Sequence, residues 1–360
     1  MQKQNAILGT IVRVTPPRGE EAGSVELEGG RSARLDAGDR RSAGFAEVLS
    51  DLQQRGRPAY LEVDPASGAV AVLRVPLVVQ VEALRTTDAG DVQVELRISH
   101  ARHLVRRSDP EFDALVQALR DAQRSEAWVA VAETDAHEIV AVAPFRPPGE
   151  LPRLEPVREP SPLLRLIRWI LRCLAWRRCV SARRAKELFD MVASTTCAPL
   201  TVPPPCIPFL YPDDGCWGRA HEMCRLMIQA GASPRKVWIY GWLQTPTRNH
   251  PNCMVYWGWH VAPTLCVRRR LFWFFWWRQE QVIDPSLFNA PVSKATWKGV
   301  QGDPSATLAG SAASAFYRTS GGSITTDPTY AGTNAVLADY RAALKARALS
   351  IGAPPYANCP

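Results

Sequence analysis

Cys216, His260 and Asp284 are the side chains of this 360-residue chain whose types, order and surroundings could do nucleophilic chemistry. Cys216 follows Tyr211-Pro212-Asp213-Asp214-Gly215 and opens a helical pattern. Ala220, Met223, Cys224, Met227 and Ile228 recur at helical spacing, Arg219, Glu222, Arg225 and Gln229 fall between them, and Gly231 supplies the stop. A thiol at the start of a helix meets unpaired N–H groups and the positive end of the macrodipole. This setting is expected to bring its pKa from about 8.5 into a range of roughly 3.5 to 7.5. A buried structural cysteine is the ordinary alternative, and the helix-start position with Gly215 before it argues against that.

A base and an acceptor that orients it must follow. Trp257-Gly258-Trp259-His260-Val261-Ala262 alternates like a strand, with Val255, Trp257 and Trp259 on one face and Gly258, His260 and Ala262 on the other. Gln281-Val282-Ile283-Asp284-Pro285 reads as a short strand ended by proline, which leaves Asp284 at a strand terminus. An imidazole that takes a thiol proton needs its second nitrogen held, and a carboxylate holds it while stabilising the imidazolium. His221 falls off the helical face of Cys216 and His250 sits in an Asn-His-Pro loop, so both are weaker candidates than His260. The backbone N–H of Cys216 is the natural donor to an oxyanion.

Four separated segments carry a resemblance. Ile207 to Cys216, Val237-Trp238-Ile239-Tyr240-Gly241, Trp257 to Ala262 and Ile283-Asp284-Pro285-Ser286-Leu287-Phe288, continued by Pro291-Val292 and Trp297, resemble the bacterial protein glutaminases over roughly residues 195 to 330. The resemblance implies an α+β scaffold of the papain and transglutaminase kind. It also implies hydrolysis of glutamine side-chain amides in proteins, with Cys216, His260 and Asp284 as the catalytic residues, a protein substrate and no cofactor. Trp217 and Trp259 are expected to wall a glutamine slot, although core packing is as good a role for each. The secreted relatives carry a cysteine pair just before the nucleophile, which makes a Cys197–Cys206 disulfide an even expectation. Cys224 and Cys253 are read as packing residues. The chain departs from the family at Arg268 to Trp277, a basic then aromatic stretch expected to form a hairpin rather than a nucleic-acid patch.

The remaining sequence sets the frame. Net charge is +8 and the sequence pI is near 9.1, which attracts acidic partners at low specificity and specifies no nucleic acid. No apolar run is long enough to cross a bilayer. No Cys-x-x-Cys or His-rich pattern calls for a metal. All nine cysteines lie from Cys173 onward, which sets a cysteine-free N-terminal region apart.

Residues 1–145 read as a β-rich accessory domain, with strand-like runs at Ala6–Val14, Ser24–Leu35, Ala59–Val63, Ala69–Val81 and Asp91–Ile98. Helical patterns fall at Ala43–Arg55 and Asp109–Gln123, and a hairpin closes the region at Ala127–Val131 and Glu138–Ala143. Its role reads first as scaffold or targeting, then as an inhibitory pro-like domain. Residues 146–162 form a proline-rich linker. Residues 163–185 hold a basic amphipathic helix whose stretch 163–178 could lie on an anionic membrane or pack on its neighbour. A catalytic domain occupies 190–360. The start Met-Gln-Lys-Gln-Asn-Ala carries no signal-peptide pattern, so a cytoplasmic location or a non-classical export route is expected, with a bacterial effector as the biological extension. The alternatives are a transglutaminase or cysteine peptidase on the same scaffold, or a catalytically silent binding protein.

Overall fold

Alternation of buried and exposed residues builds the N-terminal half into two five-stranded antiparallel sheets. The computed structural model describes residues 5–147, 156–157, 179–201, 205–272 and 275–359. The first sheet takes β1 (Ala6–Thr15), β2 (Gly23–Leu27), β3 (Arg31–Leu35), β4 (Pro58–Val63) and β5 (Val70–Arg74) in the order β3-β2-β1-β4-β5. The second takes β6 (Leu77–Thr86), β7 (Val92–Leu96), β8 (His103–Val105), β9 (Trp128–Glu133) and β10 (Ile139–Pro144) in the order β8-β7-β6-β9-β10. One topology is therefore used twice in succession, three strands, a helix, then two strands. Helix α1 (Ser42–Gln54) covers the first sheet with Phe45, Val48, Leu49 and Leu52, and α2 (Phe112–Ser125) covers the second with Phe112, Leu115, Val116 and Leu119.

Two expected runs divide. Ser24–Leu35 becomes β2 and β3 because Gly29 and Gly30 both take positive φ, the turn geometry open to glycine. Ala69–Val81 becomes β5 and β6 because Pro76, which lacks an N–H, separates them. In the first unit the β2–β3 connection is a tight turn. In the second, the β7–β8 connection is the longer stretch 97–102, with Ile98 at φ 72°, a costly conformation for a β-branched residue.

The C-terminal half is built around a sheet of β12 (Val180–Ser181), β13 (Arg235–Pro246), β14 (Met254–Phe272), β15 (Phe275–Val282), β16 (Val292–Ser293) and β17 (Thr307–Ala312). Its path runs β16-β15-β14-β13-β17, with β12 parallel to β14. A small sheet joins β11 (Pro156–Val157), β19 (Ile324–Thr326) and β18 (Ala315–Arg318). Three helices precede the last one: α3 (Ala182–Ala193), capped by the Ser181 hydroxyl, α4 (Cys216–Gln229) against β14, and α5 (Lys294–Gly299), capped by Ser293. The basic and aromatic stretch lies on the β14–β15 hairpin, paired from Thr264↔Val282 to Phe272↔Phe275. The expected strand ending at Asp284 is longer than the sequence suggested, and it stops at Val282, two residues short of that aspartate.

Helix α6 (Ala331–Ile351) is covered on nearly all sides, so its sequence shows no single apolar face. Ala342 and Ala346 enter the core of the first N-terminal sheet while Leu337 and Tyr340 enter the core around Cys216. Arg55 and Arg57 both pair with Asp339, and Lys345 pairs with Glu47. The two halves thus share one helix.

Three disulfides, Cys179–Cys266, Cys197–Cys206 and Cys253–Cys359, leave Cys216 and Cys224 as the free and buried cysteines among the described residues. The pair at Cys197 and Cys206 is present. Cys253 is a bridge residue rather than the packing residue expected, because the C-terminal tail returns to it, a long-range approach that no local pattern encodes. Nearly all of the linker at 146–162 and the basic stretch at 163–178 lie outside the described residues. Among the described residues no helix is long and apolar enough to cross a membrane.

Candidate active site

Gly215 sets the start of α4. Its φ of 79° suits glycine, and a Cβ there would come within 2.4 Å of the Tyr340 ring. Arg219, one turn into the helix and buried, donates to the carbonyls of Tyr211 at 3.0 Å and Asp214 at 2.5 Å, which fixes the loop before the nucleophile. Cys216 stands at the helix start as the sequence requires.

His260 and Asp284 are brought to it. The structure sets His260 Nε2 2.9 Å from Asp284 Oδ2, and Trp297 Nε1 donates to the same oxygen at 2.9 Å. His260 Nδ1 is buried and has no hydrogen-bond partner among the described residues. One ring nitrogen of His260 and the sulfur of Cys216 lie within 4.8 Å of one another. Trp257 and Trp297 each stack with the His260 ring, with centroids 4.5 and 5.5 Å away. Strand alternation puts Trp257 on the face opposite His260. The rings meet all the same, next to the place where the register of β13 against β14 shifts between Tyr240 and Leu243. Burial works against charge on Asp284, but the His260 ring beside it and the hydrogen bonds from His260 and Trp297 hold the carboxyl below its usual range.

No local pattern in the chain pointed to the residue that meets the thiol. His100, from the β7–β8 connection, places Nδ1 2.6 Å from Cys216 Sγ, and its Nε2 lies 3.0 Å from the Asp213 carbonyl. A carbonyl only accepts, so Nε2 carries the proton and Nδ1 accepts from the thiol. Burial first, then the neighbouring His260 and Arg219, push His100 well below the usual imidazole range, which keeps it neutral. Trp217, Trp257 and Trp259 surround its ring, with centroids 6.1, 5.2 and 5.3 Å away. Trp217 and Trp259, the two tryptophans expected to wall a slot, both lie against the His100 ring beside the thiol.

Burial reverses one expectation. The helix start was expected to lower the Cys216 pKa, yet complete burial pushes the thiol well above its ordinary value. The helix end supplies a fixed partial charge, but exclusion of water costs the thiolate more.

The inserted segment is anchored beside the nucleophile. Asp214 Oδ1 accepts from the backbone N–H groups of His100 at 3.1 Å and Gly215 at 2.9 Å, and Oδ2 accepts from Ser99 Oγ and Tyr340 Oη, each at 2.7 Å. Ser99 Oγ also meets His103 Nε2 at 2.8 Å, and His103 and His137 both turn Nδ1 toward Glu133, at 2.6 and 2.9 Å. Asp213 receives a bidentate Arg347 at 2.8 and 2.7 Å and lies 3.1 Å from His250 Nε2. Arg347 reaches Asp135 of the N-terminal half with Nε at 2.8 Å. Two clusters have donor sets of the kind that bind a metal, His100 with Cys216 and His260, and His103 with Glu133 and His137. In the second, both Nδ1 atoms are already engaged by Glu133.

Residues 185–301 match the family model described as Glutaminase. The chain is similar to the protein-glutaminase from Chryseobacterium proteolyticum, at 30% identity over 44% of this chain and 86% of that one, with a TM-score of 0.39. The chain belongs to the protein-glutaminase family. Another protein-glutaminase structure matches at 27% identity over 51% of this chain and 98% of its own, with a TM-score of 0.40. A pro-protein-glutaminase matches at 22% over 79% and 97%, with a TM-score of 0.48. No curated protein matches the chain. His100, Ser99 and Tyr340 lie outside the stretch matched by the family model. All six histidines are buried, three of them in a half that sequence alone reads as a plain accessory domain.

Proposed function

We propose that the chain hydrolyses glutamine side-chain amides of proteins to glutamate and ammonia, and that the N-terminal half holds the enzyme closed. The observation that carries this is the contact of His100 with Cys216. Counted along the side chain from Cα, imidazole Nδ1 is the third atom, as is the carboxamide carbon of glutamine. An asparagine carboxamide carbon is one bond nearer the backbone. A glutamine entering along the path of His100 would deliver its reacting carbon to the sulfur, and asparagine would fall short.

In the proposed reaction His260, held by Asp284, takes the Cys216 proton on its free Nδ1. The thiolate attacks the carboxamide carbon, and the Cys216 backbone N–H at the start of α4 faces the developing oxyanion. The protonated His260 then gives its proton to departing ammonia, and water hydrolyses the thioester. Trp217 and Trp259 are assigned to the slot, where their flat apolar faces admit a methylene chain and exclude a backbone. In the closed chain, His100 occupies this place and the thiol stays neutral, which favours the inhibitory role for residues 1–145.

Three disulfides suit an oxidising compartment, and we read the protein as one that acts outside a reducing cytoplasm, on another protein, as an effector would. Ammonia release from an unfolded protein substrate, with glutamine converted to glutamate by mass spectrometry and both lost in Cys216→Ala, tests the reaction. Amine incorporation or backbone cleavage instead would move the chain to the transglutaminase or peptidase reading.

A further inference from the structure

The segment carrying His100 lies on β14 as an added strand. Gly258 N donates to the His100 carbonyl at 2.8 Å, Arg102 N donates to the Tyr256 carbonyl at 3.2 Å, and Ala101 stands opposite Trp257 in antiparallel pairing. Residues 100 and 102 therefore project from the same face. The first enters the slot at Cys216. The second sets its guanidinium 3.8 Å from the centroid of the Trp242 ring and 5.0 Å from that of Tyr256, and Nη2 donates to the Leu243 carbonyl at 3.0 Å.

The Arg102 site is built for a cation without a counter-ion. No carboxylate pairs with Arg102 among the described residues, and its Nε is buried without a partner. Trp242 and Tyr256 remain 57% and 43% exposed, so both rings stay accessible beside Arg102. Two aromatic faces and a backbone carbonyl recognise positive charge through the ring quadrupole and one hydrogen bond. The stretch of β14 before Thr264 is not paired by β15, and the side that residues 100–102 occupy offers main-chain pairing to an extended peptide.

We propose that this side of β14 is the substrate cleft and that Trp242, Tyr256 and the Leu243 carbonyl form a subsite for arginine or lysine two residues after the reacting glutamine. The substrate is then an extended, cationic segment of the form glutamine, any residue, arginine or lysine. The inference rests on the deamidation reading and narrows it to a substrate class. The N-terminal half closes the enzyme by using both positions at once.

The test uses the whole chain cut by limited proteolysis within 148–178, with both pieces kept in solution, and short peptides containing Gln-Ala-Arg, Gln-Ala-Lys, Gln-Ala-Ala or Gln-Ala-Glu. The arginine and lysine peptides should release ammonia with kcat/KM about tenfold above the alanine peptide, a factor within reach of a partly desolvated cation–π contact. The glutamate peptide should fall below alanine, and Trp242→Ala should collapse the arginine-to-alanine ratio toward one. Equal rates for arginine, alanine and glutamate peptides, or a preference that survives Trp242→Ala, would overturn the subsite. Protection of Cys216 from iodoacetamide by the same peptides needs no turnover. Selective protection by the arginine peptide with no ammonia from any peptide would keep the subsite and sink the deamidation reading.

Discussion

His100 and Cys216 are 116 positions apart in the chain, and their Nδ1 and Sγ atoms are 2.6 Å apart in the fold. A thiol covered by a neutral ring and held protonated by burial should resist alkylation. In the intact chain, Cys216 is expected to react with iodoacetamide more slowly than the same residue in His100→Gly. Loss of the ring's contacts should raise the labelling rate about tenfold, the effect of one buried hydrogen bond on the opening equilibrium. Equal labelling in the two proteins would mean that His100 is no cover.

Asp284 and Trp297 share one oxygen with the task of holding His260. Removing the acceptor in Asp284→Ala should lower kcat of the opened enzyme by roughly two to four orders of magnitude, with little change in KM. Trp297→Phe keeps the packing and loses only the indole N–H. It should lower kcat about tenfold and move the acid limb of the pH profile upward, because the Asp284 carboxylate loses a donor that holds its pKa down. An unchanged acid limb would assign Trp297 to packing alone.

Arg347 joins the loop before the nucleophile to the N-terminal half through Asp213 and Asp135. Arg347→Ala removes the bidentate partner of the buried Asp213 charge and leaves it paired with His250, at a cost of about 3–5 kcal/mol. Thermal unfolding should show a large drop in Tm, and proteolysis should show earlier release of residues 1–147. A second substitution, Asp213→Asn, should restore part of the loss by removing the stranded charge.

The Glu133 cluster predicts the pH range of the closed form. Burial alone would pull His137 down, but the Glu133 carboxylate, with smaller help from Asp213 and Asp214, raises it to about 9. A raised imidazole contributes stability that is complete below its unfolded value of about 6.5 and is lost as pH rises through about 9. Burial also disfavours the Glu133 charge, yet His137 and His103 hold its carboxyl below the usual range. That contribution is present above the unfolded value of about 4.3 and fades as pH falls further. Tm should therefore be highest between about pH 4.5 and 6.5 and decline on both sides. His137→Asn should flatten the alkaline decline, and a profile identical to that of the parent would refute this assignment.

Cys253–Cys359 closes a loop with a sequence separation of 106. A loop of that size constrains the unfolded chain by about 4.7 kcal/mol in the chain-entropy account. The Cys253→Ser, Cys359→Ser double variant should unfold at clearly lower denaturant than the parent. A midpoint that does not move would show that the tail is held by its other contacts.

The sequence by itself determined the local pieces of the site. A helix opening at Cys216, a strand bearing His260 and a chain turn at Asp284 follow from short-range periodicity and from turn residues, which act between neighbours along the chain. The same local rules marked most strands of the N-terminal half, although not the divisions at Gly29 and at Pro76, and not the repeated topology. Only the tertiary structure decided that His100 meets Cys216, that Arg102 meets Trp242 and that Tyr340 and Arg347 grip Asp214 and Asp213. It also decided the sign of the Cys216 shift. Those outcomes depend on which distant surfaces exclude water together, and burial is a property of the packed whole that no stretch of neighbouring residues carries.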